Sequence, residues 1–88
     1  MRVVVIYKDN TDYARQVESF MTDFTRQTGH ELESLNPDTS EGESLCRAYD
    51  IVQYPTVLAL SDSGQMQNMW SGLPLPTIIE VSYYATQN

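Results

Sequence analysis

Few side chains in this sequence can do chemistry, and their spacing narrows what that chemistry is. Cys46 is the only cysteine and His30 the only histidine among 88 residues. A thiol can be a nucleophile or a redox centre once it ionises, but one alone closes no intrachain disulfide. No Cys/His cluster has the spacing of a zinc site, so no metal is expected. His30 stands just past a helix-stop glycine and reads as a solvated residue. Asp9 with Asp12, and Glu31 with Glu33, are carboxylate pairs of the kind that serves acid–base or metal work. Neither pair has an evident partner base, and both read as exposed charge. Lys8 and Tyr13 flank the first pair. The sequence carries no phosphate-binding Gly-rich loop, nucleophile elbow or heptad repeat.

Composition excludes further classes. Twelve acidic residues against five basic ones give a net charge of −7. Binding a phosphate backbone takes clustered Lys and Arg, so nucleic acid is not an expected partner. An anionic membrane surface is disfavoured for the same reason. The N-terminal apolar run is shorter than a signal-peptide core, and no stretch approaches the roughly 20 apolar residues of a membrane-spanning helix. With its single cysteine, the chain is expected in a reducing compartment, the cytoplasm, as one domain over residues 1–88.

The elements that must position these groups follow from periodicity. Val3-Val4-Val5-Ile6-Tyr7 is continuous and β-branched, the pattern of a strand covered on both faces. Tyr13, Val17, Phe20, Met21 and Phe24 recur at helical spacing, with Asn10 or Thr11 as N-cap and Gly29 as the stop. Residues 30–35 carry Glu31 and Glu33 and read as an edge strand. Ser40-Glu41-Gly42-Glu43 has the capping-box pattern, with Ser40 as N-cap of a short helix presenting Leu45, Ala48 and Tyr49. Residues 56–60 form a second doubly buried strand, and Asp62-Ser63-Gly64 turns the chain into residues 65–70, another edge. Beyond Gly72, Pro74 and Pro76, residues 77–86 form a last helix offering Ile78, Val81, Tyr84 and Ala85 to the core.

The order is βαβαββα, an α/β class. The two wholly apolar strands belong in the middle and the polar ones at the edges. A strand–helix–strand unit makes the first two strands parallel through a right-handed crossover. The hairpin makes the last two antiparallel. A four-stranded mixed sheet in the order 2-1-3-4, with helices on both faces, is the expected architecture.

That topology and the stretch Ile51-Val52-Gln53-Tyr54-Pro55-Thr56-Val57-Leu58 resemble the thioredoxin-like superfamily in its short, glutaredoxin-like form. The resemblance covers nearly the whole chain, and its best mark is the Pro-Thr leading into a buried strand. It implies a cis bond before Pro55, with the Tyr54 backbone facing a cleft and able to pair with an extended peptide. Asp62-Ser63-Gly64 and Trp70-Ser71-Gly72 also look like the family. Where the family carries its dithiol, this chain reads Lys8-Asp9-Asn10-Thr11-Asp12-Tyr13-Ala14. Lys8 and Tyr13 match, but Thr11 and Ala14 stand in the cysteine positions. Disulfide exchange needs a thiolate activated at a helix N-terminus, and a threonine hydroxyl ionises far too weakly to replace it.

The resemblance thus implies a redox-inactive binding module, with no cofactor, that holds a protein or peptide at Lys8, Thr11, Tyr13, Tyr54, Pro55, Thr56, Trp70 and Gly72. Tyr13, Tyr54 and Trp70 are expected near the vacated cleft; Tyr13 and Trp70 covering core edges is the other reading of the same aromatics. The alternative is a redox enzyme, glutathione-dependent through Lys8 and Tyr13 or monothiol through Cys46. Against glutathione, Gly72-Leu73-Pro74-Leu75-Pro76 lacks the paired glycines and acids with which glutaredoxins grip its γ-glutamyl end. Cys46 reads as a small buried hydrophobe on a helix away from the first helix's N-terminus.

Overall fold

The structure, a computed structural model, describes residues 1–86. Its elements are β1 (Arg2–Ile6), α1 (Ala14–Thr28), β2 (Glu33–Leu35), α2 (Ser40–Tyr49), β3 (Thr56–Leu60), β4 (Met66–Ser71) and α3 (Ile78–Ala85). The sheet order is β2-β1-β3-β4, with β1 parallel to β2 and antiparallel to β3, and β3 antiparallel to β4. This is the architecture expected from strand polarity.

Alternation along the central strands divides the core in two. Val3 and Val5 of β1, with Val57 and Ala59 of β3, pack against Val17 and Phe24 of α1 and Val81 of α3. Val4, Ile6, Leu58 and Leu60 face the other way, onto Cys46 of α2 and Ile51. Both strands are therefore buried on both faces, which explains their unbroken apolar runs. Phe24 is wholly buried, and truncating such a ring to alanine costs about 3–5 kcal/mol.

The helix starts differ from the sequence expectation in instructive ways. Thr11 does not cap α1. Its hydroxyl donates to the Lys8 carbonyl, and residues 11–13 form a turn, so the N-cap position falls to Tyr13, without a side-chain bond. At α2 the N-cap is Thr39, not Ser40. The Thr39 hydroxyl donates to the Asn36 carbonyl and accepts from Gly42 N–H, which starts the helix one residue earlier. The capping box occurs instead at α3, where Thr77 and Glu80 exchange bonds. The buried face of α2 also differs: Gly42 and Cys46 point inward, flanked by Leu45 and Tyr49, while Ala48 is exposed. The second strand is shorter than expected, and residues 30–32 lie outside it.

Gly42 is the tightest contact in this layer. A Cβ there would sit 1.9 Å from the Asn36 carbonyl oxygen and 3.1 Å from Pro37 Cα, both backbone. In an unencumbered helix, Gly→Ala stabilises by roughly 0.5–1 kcal/mol. Here Gly42→Ala should instead destabilise by about 1–3 kcal/mol through overpacking, read as a lower urea midpoint.

Across the β1–β2 edge, Arg2 Nε and Nη2 donate to the two Glu33 carboxylate oxygens at 2.9 and 2.7 Å. The guanidinium holds the Glu33 carboxyl below its usual range, working against partial burial. A depressed carboxyl contributes stability at neutral pH that is lost as pH falls through its folded value. Glu33→Gln should therefore lower stability at pH 7 by no more than about 1 kcal/mol, the pair being solvent-exposed. It should also flatten the acid limb of a urea-midpoint profile below roughly pH 4.3.

Candidate functional site

Strand direction decides which loops meet. β1 and β2 both bring their C-terminal ends to one end of the sheet, β3 starts there, and β4 finishes there. The segments after β1, after β2, before β3 and after β4 therefore converge, together with the first turn of α1. Open α/β sheets commonly bind ligands beyond such strand ends.

Lys8, just past β1, is held rather than freely solvated. Its Nζ lies 5.5 Å from the Tyr54 ring centroid and 3.8 Å from Asp38 Oδ1. Its backbone N–H donates to the Tyr13 hydroxyl at 3.3 Å, and its carbonyl accepts from the Thr11 hydroxyl at 2.7 Å. Lys8, Thr11 and Tyr13 are thus one bonded turn, with Tyr54 and Asp38 around the lysine head. Asp38 escaped sequence reasoning. The signal for it was topological, because a parallel β1–β2 pair sets the turn after β2 beside the turn after β1.

The segment before β3 is braced from three sides. Ile51 N–H donates to the Cys46 carbonyl at 2.8 Å, tying the loop to α2. The Thr56 hydroxyl donates to the Gln53 carbonyl at 2.6 Å. Gly72 N–H donates to the Pro55 carbonyl at 2.8 Å, from a backbone with φ of +71° that favours glycine. The Tyr54–Pro55 and Leu73–Pro74 peptide bonds are both cis. Among the described residues, the main-chain N–H and C=O of Tyr54 make no hydrogen bond.

Half-buried Tyr54 packs on the α2-side core cluster that contains Cys46. Burial raises the phenol's pKa, helped by the Cys46 thiol, Asp38 and Tyr13. Cys46 is a buried core residue of α2, as expected, and is only 8% exposed.

Two other candidates land away from the opening. Thr56 is wholly buried and braces the loop, so it presents nothing outward. Trp70 faces the opposite side of the sheet from Tyr54. It packs edge-on to Tyr84 of α3, ring centroids 5.6 Å apart, within the α1/α3-side core. The cause is a bulge in β4. Leu60 pairs with Met66 but Ala59 with Asn68, leaving Gln67 as an extra residue and setting Trp70 opposite Val57. Without the extra residue Trp70 would oppose Thr56, on the other face, because a one-residue slip reverses every side chain. Of the expected set, the structure brings together Lys8, Thr11, Tyr13, Tyr54, Pro55 and Gly72.

No protein-family model matches the chain, and no curated protein matches it. Solved structures do. Thioredoxin 1 from Thermosipho africanus TCF52B superposes with a TM-score of 0.66 at 14% identity, over 96% of this chain and 89% of that one. A malarial protein gives 0.67 at 16% identity, over 97% and 96%. A thioredoxin from Thermus thermophilus gives 0.60 at 19% identity, over 92% and 67%. At these identities the likeness establishes a thioredoxin-like fold. Among the described residues there is no cluster of His, Cys, Asp and Glu able to hold a metal ion, and no helix is long and apolar enough to cross a membrane.

The raised Tyr54 phenol predicts an alkaline signature. A group whose folded pKa lies above its unfolded one contributes stability below the unfolded value, lost as pH rises through the folded value. Wild type should lose thermal stability above roughly pH 10. In Tyr54→Phe the alkaline decline should be shallower, and one late-ionising phenol should vanish from the ultraviolet titration.

Proposed function

We propose that this protein is a redox-inactive thioredoxin-fold module that holds an extended peptide or protein segment in the cleft at Tyr54 and Pro55. The observation that carries this reading is the pair of uncommitted main-chain groups on Tyr54, fixed in place by the three-sided brace of the loop. A peptide lying there gains strand-like main-chain bonds, the β-augmentation mode of recognition. Lys8, Thr11 and Tyr13 form one wall, and Gly72 keeps the other low. Thr11, Asp12 and Ala14 supply no thiol at the start of α1, where a thioredoxin would need one. No cofactor enters this reading.

A second reading draws on the place of Cys46 in the core cluster against which Tyr54 packs. It makes the protein a redox enzyme, monothiol through Cys46 or glutathione-dependent through Lys8 and Tyr13. The near-complete burial of the thiol weighs against it, since exchange requires an accessible thiolate.

Peptides selected from a random display library against the protein test the first reading. Selected peptides should shift the Tyr54 amide resonance and bind Tyr54→Arg at least about tenfold more weakly, a loss near 1.4 kcal/mol, with the variant's melting point retained. Insulin reduction and a glutathione-linked assay should stay at background in wild type and Cys46→Ser alike. Equal binding to Tyr54→Arg, or turnover that depends on Cys46, overturns the proposal.

A further inference from the structure

On the opposite sheet face from Tyr54, the β4 bulge creates a second site. Asn68 and Trp70, two residues apart, both face α3 and line a pocket of about 250 Å³ with Glu80, Tyr83 and Tyr84. Trp70 and Tyr83 each stand near-perpendicular to Tyr84, at 72° and 88°, with centroids 5.6 and 5.0 Å away. Two rings set against a shared third is the arrangement of an aromatic box. Its walls are fixed in advance. Asn68 Nδ2 donates to the Tyr84 hydroxyl at 3.2 Å, and Glu80 Oε1 is held by Thr77 N–H and hydroxyl at 3.0 and 2.9 Å.

Charge selects the occupant. Aromatic faces attract cations through their quadrupoles. Glu80 adds a carboxylate with no basic partner among the described residues, in a chain of net charge −7. Size narrows it further: the pocket is smaller than the roughly 300–1,000 Å³ of drug-sized ligand sites, the scale of one side chain. A guanidinium combines what this lining recognises, a planar cation that stacks on rings and carries several N–H donors for a carboxylate. The site is accessible, since Ile79 and Tyr83 on its flank are 82% and 64% exposed. β4 beside it is an edge strand, along which an extended segment can lie. We infer that the box formed by Trp70, Tyr83, Tyr84 and Glu80 is a binding site for an arginine side chain presented by a basic peptide.

Trp70 is the only tryptophan, so its fluorescence reports occupancy directly. The probe is acetyl-Gly-Arg-Gly-amide, compared with its citrulline counterpart, which keeps the planar shape and three of the five N–H donors but is uncharged and carries a carbonyl in place of one NH2. The arginine peptide should give a saturable fluorescence change, with the citrulline peptide weaker by on the order of fivefold. Glu80→Gln retains a capping-box residue and Tyr83→Leu changes an exposed side chain, so both should fold as wild type. Each should weaken arginine-peptide binding several-fold, while Tyr54→Arg leaves it unchanged. Equal affinity for the citrulline peptide, wild-type binding by both box variants, or no saturable change at millimolar peptide overturns the assignment.

Discussion

The arrangement at the strand ends depends on how the chain enters β3. Strands β1 and β3 are buried on both faces, so every polar group at their margins needs a partner. The approach to β3 meets this with bonds from three different elements. The Cys46 carbonyl takes Ile51 N–H, the Thr56 hydroxyl takes up the Gln53 carbonyl, and Gly72 N–H takes up the Pro55 carbonyl. Proline at position 55 brings no donor that would otherwise be stranded in a buried spot. Tyr54 is thereby fixed between braced neighbours while its own main chain stays uncommitted. The rigidity comes from the core, and the open hydrogen-bonding groups come from the loop.

The second constraint is parity. One extra residue, Gln67, decides which side of the sheet each β4 side chain joins. Met69 goes to the α2 side with Leu58, and Asn68 and Trp70 go to the α3 side with Ala59 and Val57. The same hairpin thus contributes to two surfaces. Gly72 at its end supports the Tyr54 loop, while Asn68 and Trp70 build the aromatic box. A strand without the bulge would have put the indole on the Thr56 face of the sheet and left Tyr84 with Tyr83 alone as a ring partner.

Those two facts explain what the sequence disclosed and what it withheld. The β-branched run at residues 3–6 and the run Thr56-Val57-Leu58-Ala59-Leu60 read as doubly covered strands, and with the polar edges they determined the sheet order. Helix periodicity placed Val17, Phe24 and Val81 inward correctly. Local hydrogen-bond competition was harder to read. Thr39 and Ser40 are both capable caps, and the choice fell to Thr39 because its hydroxyl also reaches Asn36. Thr11 was drawn off by the Lys8 carbonyl. Gly42 reads as a weak helix residue, yet the loop at Asn36 and Pro37 leaves no room for any side chain. The bulge at Gln67 has no glycine or proline to announce it, so the face of Trp70 was not legible.

The two surfaces differ in what they can discriminate. At the cleft, the Lys8 charge is countered by Asp38 at 3.8 Å and by the face of Tyr54. Lys8 is therefore not a free cation with which to sort partners, and the open groups are main-chain ones that an extended segment can satisfy. A cleft of that kind selects backbone shape over sequence. In the box the balance is reversed. The Glu80 carboxyl is held below its usual range, first by the Thr77 N–H and hydroxyl and last by Trp70, so it is ionised at neutral pH beside three rings. On the reading proposed above, that site distinguishes a cation from a neutral isostere by its charge. A partner long enough to use both would meet shape selection at one strand end and charge selection across the sheet. On the two proposed readings, each surface supplies the discrimination that the other lacks.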